Sequence, residues 1–111
     1  MTEPINTDYS EDERLIAMYS KAMGHPARVA ILNYLASLDC CFFGDIFEVL
    51  PIAKATVSQH LTELKNAGLI DGTIEAPKVK YCVNVENWIK ARKVFEKFFS
   101  QCCCNQMDCK L

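Results

Sequence analysis

Three consecutive cysteines, Cys102, Cys103 and Cys104, with Cys109 five positions further on, are the residues best suited to chemistry in this sequence. Thiolates are soft ligands, and several close together suit a thiophilic metal or metalloid. Trivalent arsenic or antimony, As(III) or Sb(III), takes three thiolates in a pyramidal arrangement, and Asn105 to Asp108 give the chain room to fold back around one. The same thiols can oxidise, so a peroxide or persulfide that joins two of them is a second available chemistry. Three other cysteines lie in the body of the chain: Cys40 and Cys41 side by side, and Cys82 on an alternating run next to Tyr81 and Val83, where it reads as a packed thiol. Met1 to Ser10 is polar and lacks a basic-then-apolar export signal, which points to the cytosol. There, seven cysteines serve metal or redox chemistry more often than structural disulfides.

These thiols need a frame. At 111 residues, half of them apolar, the chain has the size of one small globular domain that gains from burying surface in a partner. No apolar run is long enough to cross a bilayer. The formal charge is −2, but residues 1–13 carry five acids and no Lys or Arg, while the remaining 98 carry 12 basic against nine acidic side chains, a net of +3. An acidic arm therefore precedes a mildly basic body, which permits nucleic-acid binding.

The pattern predicts residues 1–10 as a flexible acidic arm, 11–101 as the folded domain and 102–111 as a cysteine-rich tail. Ser10 and Glu13 have capping-box spacing, so a helix starts there and Gly24 stops it. Pro26 suits the first turn of a second helix, with Val29, Leu32, Leu35 and Leu38 as its apolar stripe and His25 as a turn or cap residue. A short third helix is expected from Gly44 to Leu50, ended by Pro51. A fourth follows from Lys54 to Ala67, with Gly68 as a left-handed stop. Leu69–Glu75 and Lys78–Val83 read as a β-hairpin joined at Ala76-Pro77, and Glu86–Gln101 as a final helix. The fold class is thus mainly α with a small antiparallel β-hairpin, a winged helix-turn-helix.

On the Lys54–Ala67 helix, Val57, Leu61 and Leu64 fall on one arc, opposite Ala55, Gln59, Thr62 and Asn66. Thr56 and Ser58 flank the outer face, and His60 lies nearer the core side. Short polar side chains on that face can read bases: Gln pairs bidentately with adenine, and hydroxyls reach bases or phosphates. Lys54 adds phosphate-type charge, and Lys78 and Lys80 on the second strand can lie along the backbone of the adjoining groove. The predicted DNA-contacting set is Lys54, Thr56, Ser58, Gln59, His60, Thr62, Lys78 and Lys80.

Three runs carry a family resemblance: Met23-Gly24-His25-Pro26-Ala27-Arg28-Val29-Ala30-Ile31-Leu32; Lys54-Ala55-Thr56-Val57-Ser58-Gln59-His60-Leu61 through Asn66-Ala67-Gly68-Leu69-Ile70; and Lys78-Val79-Lys80-Tyr81. In order and spacing, over about residues 12–100, the chain resembles the ArsR/SmtB family of metal-responsive winged-helix repressors. The resemblance implies a homodimer on a double-stranded DNA operator that lets go when an ion binds. Ala53 stands where the family usually has a Ser cap, and Ala76-Pro77 replaces the usual Gly-Arg of the wing turn. The family's paired-cysteine site falls on Phe42 and Gly44, which cannot ligate; Cys40 and Cys41, just before it and displaced toward the loop, are lesser candidate ligands for the inducer, with ordinary, partly buried thiols as the alternative. Its zinc site needs a histidine that the last helix lacks. Some arsenic-sensing members carry adjacent cysteines and a third six or seven positions on, which implies Cys102, Cys103 and Cys109 as ligands, with Cys104 an alternative.

The function expected from this reading is a repressor that releases DNA when As(III) or Sb(III) binds the tail, with no organic cofactor and no membrane partner. Trp88, Phe95 and Phe98 on the last helix would form the dimer seam beside the first helix. A thiol-redox or persulfide-responsive repressor of the same fold, and a metal-sequestering interaction module that does not bind DNA, are the alternatives. No paired carboxylates, nucleophile–base pair or phosphate loop suggests an enzyme.

Overall fold

A computed structural model describes residues 8–75 and 78–102. Helix α1 (Glu11–Met23) opens with the expected capping box: the Ser10 hydroxyl accepts from the Glu13 amide, and the Glu13 carboxylate accepts from the Ser10 amide. Helix α2 (Pro26–Ala36) has proline in its first turn, and His25 Nδ1 accepts the Ala27 amide at 3.0 Å, so the imidazole serves as N-cap. Ile31, Leu32 and Leu35 of α2 are buried, whereas Val29, assigned to the stripe from its spacing, is half exposed.

Between α2 and the next helix the structure departs from the sequence reading. Phe42–Phe43 forms a two-residue strand, β1, and the expected Gly44–Leu50 helix is only a 3-10 turn at Ile46–Glu48. Asp45 gives that turn no side-chain cap, and Pro51 follows too closely for a full helix to develop. The turn still buries Ile46 in the core.

Helix α3 (Lys54–Asn66) ends at Gly68, whose φ of +81° is the left-handed stop expected there. A Cβ at Gly68 would also lie 2.8 Å from Asn87 Nδ2. Strands β2 (Ile70–Glu75) and β3 (Lys78–Val83) pair antiparallel, and β1 adds to the free side of β3. The result is a three-stranded sheet in the order β1-β3-β2 in place of a two-stranded wing. Helix α4 (Val85–Phe99) is capped by the Asn84 side chain, which accepts the Asn87 amide.

The core runs from Tyr19 and Ala22 of α1 through α2, Ile46, Val57, Leu61 and Leu64 to Leu69, Ile70 and Tyr81, with Ala91 and Val94 of α4. Ile31 and Leu64 are fully buried, each contributing on the order of 1.5–3 kcal/mol. Asn87 donates to the Gly68 carbonyl at 2.9 Å and so fixes α4 to the exit of α3. Lys97 bridges to Asp12 at 3.2 Å between α4 and α1; both ends are wet, so the pair contributes at most about 1 kcal/mol. These contacts set α3 on the core by one face and leave its other face free.

Candidate nucleic-acid interface and thiol sites

Val57, His60, Leu61 and Leu64 form the buried side of α3, while Lys54, Ala55, Thr56, Ser58, Gln59, Thr62, Lys65 and Asn66 are exposed. The outer face read from the sequence is therefore present, lined by short polar groups. Two of its hydroxyls already donate to the helix backbone, Thr56 to the Ala53 carbonyl at 3.0 Å and Thr62 to the Ser58 carbonyl at 2.8 Å. Their oxygens retain lone pairs to accept from a base or ligand. Ala53 gives α3 no side-chain cap, as its residue type dictates.

His60 is 7% exposed and faces inward. Its Nδ1 accepts from Arg28 Nε at 3.1 Å, and its ring lies 4.6 Å from that of His25. Arg28 also donates to the Ala22 carbonyl at 3.3 Å, closing a link from the end of α1 through α2 to α3. Burial pushes the His60 imidazole below its ordinary range, and the nearby His25 and Arg28 charges push it the same way. His60 thus positions α3 on α2. Arg28 was not singled out from the sequence. The available signal was an imidazole on the core side of a helix, which needs a hydrogen-bond partner.

Lys54 Nζ sits 4.9 Å from the centre of the Phe47 ring, and Lys80 Nζ 5.8 Å from that of Phe43. Both lysines are exposed, and among the described residues the ion pairs are Arg92–Glu96 and Lys97–Asp12, which involve neither. Lys78 is placed by its backbone on β3 opposite Glu75.

The cysteines divide into two regions. Cys102 follows α4 as an exposed free thiol, and Cys103, Cys104 and Cys109 lie outside the described residues. In the body, Cys41 and Cys82 are joined by a disulfide with their Cα atoms 4.5 Å apart, while Cys40 is exposed and free. Cys82 is thus not the packed free thiol its strand position suggested. The β1–β3 register explains the bond: Phe42 lies opposite Tyr81 and Phe43 opposite Lys80, so the preceding residue, Cys41, falls opposite Cys82. A 4.5 Å separation is that of a close antiparallel pair. Among the described residues no three His, Cys, Asp or Glu side chains form a metal-binding group.

On α4, Trp88 and Phe95 are partly buried against this chain's own core, whereas Phe98 is 47% and Phe99 71% exposed. The two phenylalanines meet edge to face with centroids 5.1 Å apart. No helix among the described residues is long and apolar enough to cross a membrane.

A family profile described as "Bacterial regulatory protein, arsR family" matches residues 25–71, from the cap of α2 into β2. The chain is 30% identical over 86 residues to the HTH-type transcriptional regulator YgaV of Escherichia coli (strain K12), covering 78% of this chain and 85% of that one. It is 30% identical over 88 residues to the biofilm growth-associated repressor of Agrobacterium fabrum, covering 79% and 72% respectively. Among solved structures, HlyU from Vibrio cholerae N16961 superposes with a TM-score of 0.62 at 24% identity, over 84% of this chain and all of that one, a likeness of fold.

Proposed function

On the premise that the chain belongs to the arsR family of bacterial transcriptional regulators, which bind DNA operators and are not enzymes, we propose that it is a repressor released from its operator by a thiol-directed signal. The observation that carries the DNA-reading part is the outer face of α3, polar, exposed and held to the core by Val57, Leu61 and Leu64. Gln59 and Ser58 read base edges, Lys54 and Lys80 hold phosphates, and Lys78 extends the phosphate contact along the wing. A homodimer formed through α4 and α1 covers the exposed Phe98 and Phe99. It sets two α3 helices about 34 Å apart on a near-palindromic site.

The signal in this reading is trivalent arsenic or antimony bound by Cys102, Cys103 and Cys109, with Cys104 as the alternative third ligand. Support comes from the exposed free thiol of Cys102, which lies just past the Ser100 cap of the helix assigned to the dimer seam. A coupling of about 1–3 kcal/mol lowers operator affinity about 5–150-fold. The test is operator binding with and without arsenite under reducing, anaerobic conditions, for the wild type and for Cys102→Ser, Cys103→Ser and Cys109→Ser. Release that persists in all three variants removes the tail from the mechanism.

A thiol-redox reading is favoured by one observation, the Cys41–Cys82 disulfide. A peroxide or persulfide that closes this bond would act on the strand carrying Lys80. In this reading operator affinity changes with oxidant when arsenic is absent, and Cys82→Ser abolishes that response.

A further inference from the structure

We infer that Cys41 and Cys82, in their reduced form, are a second ligand site, independent of the tail: a chelating dithiol for a trivalent arsenical that carries one apolar organic substituent.

Three observations carry this. The first is that the two sulfurs are paired by the sheet as well as by their own bond. The backbone pairs Phe42–Tyr81 and Phe43–Lys80 fix the register next to them, so Cys41 and Cys82 stay opposite one another when the disulfide opens. Two thiolates about 2.3 Å from one soft centre lie no more than about 4.6 Å apart, and cross-strand neighbours whose sulfurs are close enough to bond, with Cα atoms 4.5 Å apart, can meet that condition. The second is the absence of a third ligand. Cys40 borders the same space, but no three His, Cys, Asp or Glu side chains among the described residues make a metal-binding group. An ion that needs three thiolates is poorly served here, whereas an arsenical whose third valence is already a carbon needs only two. The third is what lies beside the sulfurs: an open cavity of about 330 Å³ whose apolar wall is Leu35, Leu38, Val83, Val85 and Trp88, with Asp39 also on its lining. A cavity of that size takes a phenyl or small alkyl group and removes it from water.

The chemistry balances without a change in oxidation state of arsenic. Reduction of the disulfide takes two electrons from a reductant such as a phosphine and two protons from water, whose oxygen leaves on the phosphine oxide. The two thiols then condense with R–As(OH)2; two As–S bonds replace two As–O bonds, and the thiol protons leave with the hydroxyls as two waters. The indole of Trp88, on the cavity wall, reports occupancy by its fluorescence.

The test uses the full chain with Cys102, Cys103, Cys104 and Cys109 replaced by Ser, reduced with a phosphine and desalted without oxygen. The probe is phenylarsine oxide. The expected results are one phenylarsenic per chain by intact mass, loss of two titratable thiols, and a change in Trp88 emission. Cys41→Ser and Cys82→Ser each weaken binding by about 100-fold or more, the loss expected when two linked contacts become one, while Cys40→Ser leaves it unchanged. The same chain left oxidised gives no adduct, a control that needs no further substitution. An adduct that survives oxidation or Cys82→Ser, or no adduct on the reduced chain, overturns the inference. The tail reading is judged by arsenite on the intact tail, so either can fail without the other.

Discussion

Opening the Cys41–Cys82 bond should cost the protein a measurable and calculable amount of stability. The bonded residues are 41 apart in sequence, and the segment between them contains β1, the 3-10 turn, α3 and β2. The chain-entropy relation for a loop of that length gives about 13 cal/mol/K, or about 4 kcal/mol at 25 °C, through restriction of the unfolded chain. For a domain of this size each kcal/mol moves the melting midpoint by roughly 4 °C, so reduction should lower it by about 15 °C. The measurements are thermal and urea unfolding followed by far-ultraviolet circular dichroism, on a chain with Cys40 and the four tail cysteines replaced by Ser so that only one bond can change. The oxidised form should also show the smaller denaturant dependence, because its unfolded state is more compact. Coincident oxidised and reduced curves would refute the reasoning, since they would mean that the enclosed segment is not released when the bond opens.

Three further outcomes are expected. Gln59→Ala should reduce discrimination at one operator base by about 1–3 kcal/mol, whereas Lys80→Ala should weaken binding evenly across sequences and lower the salt slope by about 1, both read from salt titrations of operator affinity. Burial, with the nearby His25 and Arg28, lowers the His60 imidazole below its ordinary value of 6.5, so on acidification the unfolded chain binds the proton first. Its contribution to stability is therefore complete above pH 6.5 and is lost as the pH falls from there through the lowered native value; denaturation midpoints of the wild type should drop over that interval more steeply than those of His60→Gln. Gly68→Ala should cost more than about 1 kcal/mol in thermal unfolding, because φ at +81° disfavours a side chain and the new methyl would press on Asn87.

What could be read from the chain follows the range of the interactions involved. Ser10 with Glu13, Pro26, Gly68, and the buried arc of Val57, Leu61 and Leu64 are local signals, each acting within about one turn, and each element they mark is in place. Strand β1 is different. Phe42 and Phe43 have no strand pattern of their own and become one only because β3, nearly forty residues later, offers an edge. The Cys41–Cys82 bond is hidden for the same reason: the register that places them opposite does not exist until β1 pairs. Val29 fell on the apolar stripe by spacing, yet half of it meets solvent, since a stripe does not say how far the neighbouring elements extend over it. On the face of α3 proposed to read DNA, the outward residues were legible from periodicity, whereas the Arg28–His60 link crosses 32 positions and was not.

An acidic protein has to approach a polyanion with few positive charges, and how it stores them matters. Lys54 and Lys80 rest over phenyl rings. A carboxylate partner would hold an ammonium still but cancel its field. The negative face of an aromatic ring also favours the ammonium, yet leaves the full unit of charge showing to anything that arrives. In the proposed reading, Phe43 and Phe47 act as cradles for these two cations, so that long-range attraction to nucleic acid survives a net charge of the wrong sign.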